Sequence, residues 1–136
     1  LTTIAKTLRK EWAAPSVVVV GYGYGGYYSL HFSEEQQSFD AVVLAYGKVT
    51  IPKDIMRLHR PCMFIVAAND RDKAKGAKAL LRSRIDYNEK AFPVRRYPGT
   101  YRGFAVRGDE RNPIIEKAKR QALEDTAEFL LEHLVH

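Results

Sequence analysis

Val17-Val18-Val19-Val20-Gly21-Tyr22-Gly23-Tyr24-Gly25-Gly26 is the stretch on which the fold turns. The valine run is continuous and β-branched, bounded in front by Pro15-Ser16 and behind by Gly21, so it reads as a short strand buried on both faces, the kind parallel sheets contain. The glycines follow where that strand gives way to a helix expected near Gly25 to Glu35, so the backbone must turn sharply with little room for side chains. Three readings compete for the turn. Gly21, Gly23 and Gly26 satisfy a dinucleotide fingerprint, but that motif needs an acidic residue at the end of the next strand, and Asp40 stands at its beginning instead. A nucleophile elbow, Gly-x-nucleophile-x-Gly-Gly, places Gly23 at the attacking position. A tight junction without chemistry is the third.

Outward from the turn the pattern alternates. Strands are expected at Ala41 to Ala45 and Met63 to Ala68, with a short helix near Lys53 to His59 between them, which is a βαβ rhythm. After Asp70 a helix of about fifteen residues should run through Ala74, Ala77, Leu80, Leu81 and Ile85, followed by a strand around Phe92 to Tyr97. Asn112-Pro113 is an N-cap with proline at the first helical position; the helix it opens carries Ile114, Ala118, Leu123, Ala127, Leu130 and Leu134. At the other end, Leu1, Ile4, Ala5, Leu8 and Trp12 share one helical face before Pro15 stops the helix. Pro98 to Arg111 is read as the one long irregular loop. The expected fold class is α/β, a mainly parallel sheet of four or five strands with helices on both faces.

The 136 residues, 46% apolar and 28% charged, suit one domain with a real core and argue against disorder. No apolar run reaches the length of a spanning helix, so no membrane partner is expected. Cys62 stands alone, which excludes an internal disulfide and a cysteine-based zinc site and fits a reducing, intracellular setting, cytoplasm or mitochondrion. No His, Cys or carboxylate cluster has ligand spacing, so no metal and no cofactor is expected. Twenty-two Lys and Arg against sixteen Asp and Glu give +6, an excess that can attract RNA, an anionic surface or acidic proteins without choosing among them. The chain starts at Leu1 and enters a helical pattern at once, leaving open a processed product or a portion of a longer protein.

Val17 to Ser29, Phe39 to Gly47, Arg60-Pro61 through Phe64-Ile65-Val66 to Asn69-Asp70, and Tyr97-Pro98-Gly99-Thr100-Tyr101-Arg102-Gly103-Phe104-Ala105-Val106-Arg107-Gly108-Asp109 occur in the order found in the dienelactone hydrolase family of α/β-hydrolases. The sequence resembles that family over nearly its whole length, as the C-terminal part of a single α/β-hydrolase-like domain covering residues 1–136. The resemblance implies a triad with a cysteine or serine at the position of Gly23, the acid at Asp70 and the histidine at Arg102. Only the acid is retained. Glycine has no atom to attack a carbonyl, and a guanidinium that stays protonated cannot take the nucleophile's proton. Ser29, Tyr22 and Tyr24 offer hydroxyls near the turn, but none has an evident base. His31, His59, His133 and His136 lie elsewhere, the last two in a terminal helix where an exposed tail is expected.

The function expected is that of a noncatalytic dienelactone-hydrolase-like subunit that binds or scaffolds within a larger assembly. The alternative is a carboxylic-ester or lactone hydrolase of that family. Because the family's N-terminal strands are not in this chain, the valine strand should become a sheet edge open to association. Other protein chains covering that edge are the expected partners, with RNA in a larger assembly as the second class. Arg102, standing where the histidine would, is expected to pair with Asp70 and tie the loop to the end of the preceding strand.

Overall fold

A computed structural model describes residues 2–23, 39–45, 56 and 58–134. Four strands, β1 (Val18–Tyr22), β2 (Ala41–Ala45), β3 (Cys62–Ala67) and β4 (Val94–Tyr97), form one parallel sheet in the order β1-β2-β3-β4. Val20 lies beside Val43, Leu44 beside Phe64 and Ile65 beside Arg95.

Alternation along the strands divides the core in two. Val42, Leu44, Cys62 and Phe64 point to one face, where helix α2 (Arg71–Arg82) covers them with Ala77 and Leu81. Ala41, Val43, Met63 and Ile65 point to the other, covered by helix α4 (Pro113–His133) through Ala118, Ala122 and Phe129. Helices therefore flank the sheet on both faces, as the alternating pattern implied. Burying a side chain of Phe64's size contributes roughly 1.5–3 kcal/mol, and β2 is buried along its whole length.

Several local expectations need correction. Val18, Val19 and Val20 are half-buried, not buried on both faces, because β1 ends the sheet among the described residues and has a neighbour on one side only. In helix α1 (Thr2–Glu11) Ala5 is buried and Leu8 half-buried, whereas Ile4, and Trp12 just past the helix end, are exposed. The cause is its seat at the sheet margin: Ala5 meets Val17 and Phe39 in a small satellite core that spans less than a full helical face. The Asp40 carboxylate fixes this seat by accepting from Arg9 Nη2 at 2.6 Å and from the Val17 amide at 2.7 Å.

Helix α2 ends at Arg82, short of Ile85, which is fully exposed. Ser83 donates its hydroxyl to the Leu80 carbonyl at 2.6 Å, and Arg84 leaves the helical path: its Nη2 donates to Leu58 O at 2.6 Å and its guanidinium stacks 4.8 Å from the Phe92 ring centre. The N-cap of α4 is as read, with the Asn112 side chain accepting from the Ile114 amide at 3.0 Å. The face of that helix is not. Ile115, Ala118, Ala122, Thr126 and Phe129 are buried, while Ile114, Leu123 and Ala127 are exposed and Leu130 and Leu134 half-buried. The sequence holds two apolar stripes, and the one rich in alanine wins because small side chains let the helix axis approach the sheet.

The loop Pro98 to Arg111 contains one helical turn, α3 (Phe104–Arg107), so it is not irregular throughout. The helix expected near Gly25 to Glu35 lies outside the described residues, as does that near Lys53 to His59 except for Met56, Leu58 and His59. Among the described residues no helix is long and apolar enough to cross a membrane.

Candidate functional site

The three positions singled out in the sequence all lie beyond the C-terminal ends of the strands, the edge at which open α/β sheets bind ligands. Gly23 follows β1 directly. Its amide donates to the Ala45 carbonyl at 3.0 Å, extending the β1–β2 ladder, and its φ of +58° puts it in the left-handed region. Among the described residues nothing lies within 4 Å of where a Cβ would stand. Gly23 thus takes a left-handed backbone and presents no side chain there.

Asp70 arrives from β3 through a single 3-10 turn, Ala68–Asp70, and stands at the N-cap of α2. Its carboxylate does not cap the helix; it faces Arg102. The Arg102 Nη2 donates to Oδ1 at 3.0 Å and to Oδ2 at 3.3 Å, and Nε donates to Oδ2 at 3.3 Å, a bidentate fork. Lys73 Nζ lies 3.5 Å from the same Oδ1. Two cations thus converge on one carboxylate and leave a local excess of positive charge. The Asp70 side chain is 13% exposed and that of Arg102 54%, so one end of the pair is sheltered and the other wet. The pairing expected between Asp70 and Arg102 is present.

Thr100, quoted in the sequence segment but given no role there, holds the same loop more tightly. Buried at 5% exposure, its hydroxyl donates to Tyr97 O at 2.6 Å and accepts from the Ala68 amide at 3.0 Å, joining the ends of β3 and β4. Tyr97-Pro98-Gly99-Thr100, with Pro at the second position and Gly99 at φ +69°, is the signature of a type II turn, the one signal that could have marked it. Gly103 at φ +93° then opens α3, and Phe104 inserts fully buried, its ring 5.4 Å from that of Tyr97. The Tyr97 hydroxyl donates to Asp125 at 2.7 Å, fastening β4 to α4.

Among the described residues no substitute nucleophile and base are brought together at Gly23. Cys62 is fully buried in β3, and that burial pushes its thiol well above the ordinary range, which suits a protonated core residue and not a nucleophile. His133 is not a free tail: its ring packs 4.6 Å from Phe129 and Nε2 donates to Lys90 O at 2.9 Å. His59 is exposed, and Tyr22 lines a groove of about 310 Å³ with Ile65, Ala105, Lys119 and Leu123 that includes neither Gly23, Asp70 nor Arg102. Tyr24, Ser29, His31 and His136 lie outside the described residues. Among the described residues no three His, Cys, Asp or Glu side chains are grouped to hold a metal ion. Around Asp70 the arrangement can bind charge and order a loop; a group able to accept a proton from a nucleophile is not among its described contacts.

Comparison with known proteins follows the same lines. The sequence profile described as the dienelactone hydrolase family matches residues 3–134. Proteins named carboxymethylenebutenolidase homolog from Pongo abelii and Homo sapiens are each 28% identical over 130 residues, covering 91% of this chain and 53% of theirs. The crystal structure of a candidate dienelactone hydrolase from Klebsiella pneumoniae superposes with a TM-score of 0.69 at 16% identity, covering 84% of this chain and 51% of that one. The chain therefore spans about half the length of the relatives it matches.

Proposed function

The chain belongs to the dienelactone hydrolase family, and on that premise we propose that it is a noncatalytic member which binds or scaffolds within a larger assembly. The observation that carries this is the bidentate fork of Arg102 on Asp70. In a triad the acid orients a histidine that shuttles a proton; here both carboxylate oxygens are engaged by a group that stays protonated at neutral pH. At Gly23 the other end of the relay has no heteroatom to activate. Gly23, Asp70 and Arg102 are thus read as vestigial triad positions, with Arg102 converted from catalysis to loop ordering.

The half-buried valines of β1 support a partner chain along that edge, since a strand with one neighbour among the described residues leaves backbone donors and acceptors to be satisfied. The lone cysteine supports a reducing, intracellular setting.

The test is turnover. Purified full-length protein, offered p-nitrophenyl acetate and a dienelactone, should give no saturable hydrolysis above an unrelated protein. Saturable hydrolysis that survives further purification and vanishes on substitution of a residue of this chain would establish the other reading, a carboxylic-ester or lactone hydrolase of the kind its relatives' name suggests.

A further inference from the structure

We propose that the basic flank of α2 together with the edge strand β4 is a binding surface for single-stranded RNA, built on Arg71, Lys75, Lys78, Arg82 and Arg96. The proposal rests on the binding-subunit reading and names its surface and partner. Arg71, Lys75, Lys78 and Arg82 follow one another at i, i+4, i+7 and i+11, so they fall in one narrow strip along the helix, about a quarter turn from the buried Ala74, Ala77 and Leu81. All four are exposed. Strand β4 lies beside this helix. Lys78 and Arg82 line a small recess with Val94 of that strand, and Arg96 Nη1 reaches the Ala68 carbonyl at 3.1 Å, just before α2, whereas Arg95, paired with Ile65, belongs to the α4 face.

The charges of the strip are unspent and aligned. Arg9, Arg84, Arg102 and Lys119 each meet a carboxylate at 2.6–3.0 Å. Among the described residues Arg71, Lys75, Lys78 and Arg82 have no ion-pair partner. Glu89 is the one carboxylate lining the recess, and Asp72 projects from α2 about a quarter turn away from the strip. Like charges at i, i+4 repel, so the arrangement costs the free protein and is relieved when a polyanion lies along it.

The chemistry favours a phosphate backbone over a protein partner. Steps of about 4.5–6 Å along the helix axis present cations in a row, which a flexible sugar-phosphate chain can follow. The strip offers no exposed aromatic or large apolar side chain, whereas protein interfaces anchor on such groups. Strand β4, outermost in the sheet among the described residues, adds backbone amides and carbonyls that a single strand can meet with bases and 2′-hydroxyls, as a paired duplex cannot.

A fluorescein-labelled 20-nucleotide RNA without secondary structure, titrated with the full-length protein by anisotropy from about 50 to 200 mM salt, tests this. About four phosphate contacts predict log Kd rising with log salt at a slope near 3, about 0.7 per contact for a single strand. The triple variant Lys75→Glu, Lys78→Glu, Arg82→Glu should bind at least tenfold more weakly with a shallower slope. Lys6→Glu, Lys10→Glu, Lys117→Glu, the same charge change on exposed residues elsewhere, should retain binding within about threefold. Circular dichroism should show both variants folded.

Absence of RNA binding at the lowest salt, equal losses in the two variants, tighter binding of the matching duplex, or equally effective competition by poly-glutamate would each overturn the assignment. Ester turnover by the wild-type protein would instead overturn the noncatalytic reading while leaving the titration intact, so the two failures are distinguishable.

Discussion

Replacing Thr100 by Val should destabilise the protein more than removing Arg102, although Arg102 makes the more conspicuous contact. Val keeps the shape of Thr and deletes only the hydroxyl, which at 5% exposure accepts from the Ala68 amide at 3.0 Å and donates to the Tyr97 carbonyl at 2.6 Å. Two backbone groups then lose a partner in a site largely closed to water. A buried group left unsatisfied costs about 1–3 kcal/mol, and partial access of water to the half-buried Ala68 brings the sum to about 2 kcal/mol. Arg102→Ala removes a fork whose guanidinium end is 54% exposed, and Lys73 remains beside Asp70. Exposed ion pairs contribute about 0.2–1 kcal/mol and weaken with salt, so about 0.5 kcal/mol is expected. With a urea m value of about 2 kcal/mol/M, the midpoint should fall by about 1 M for Thr100→Val and about 0.25 M for Arg102→Ala. Melts run at one fixed protein concentration keep any association constant. The Arg102 effect should shrink between about 0.05 and 0.5 M NaCl, while that of Thr100 should not. An Arg102→Ala shift as large as that of Thr100→Val, or one insensitive to salt, would refute the ranking and make the ion pair the principal fastening of the loop.

Two further outcomes follow from the packing. Gly108→Ala should cost about 2–3 kcal/mol, measured by the same urea melts, because the added methyl meets the Phe104 carbonyl oxygen and lies 2.6 Å from Ile115 Cγ2, and a backbone carbonyl cannot turn aside as a side-chain tip can. The Cys62 thiol should resist Ellman's reagent in the folded protein and react at the rate of unfolding. Burial raises its ionisation above the ordinary 9.0, so its contribution is fully present below pH 9 and is lost as the pH rises further, when the unfolded chain ionises and the folded one does not.

The alternating strands and helices were legible from local pattern because each element carries its own signal. The β-branched runs located β1 and β3 within a residue or two and β2 at its observed ends, and Asn112-Pro113 located the start of α4. The places where pattern misled share a cause. Ile4, Trp12 and Leu123 are apolar at helical spacing yet exposed, since periodicity says that a helix has an apolar side but not how much of it a neighbour covers.

The candidate site divides along the same line. That Gly23 and Arg102 lack the chemistry of a nucleophile and a base is a property of residue type, readable without coordinates. That Arg102 forks onto Asp70 and that Thr100 bridges two strand ends depend on groups about thirty residues apart in sequence meeting beyond the edge of one sheet. The basic strip on α2 has a helical spacing in the sequence, but its exposure, its lack of carboxylate partners among the described residues and its alignment with β4 required the packed structure. Local sequence determines which faces an element possesses; only tertiary contact determines which of them are spent on the core and which remain free to bind.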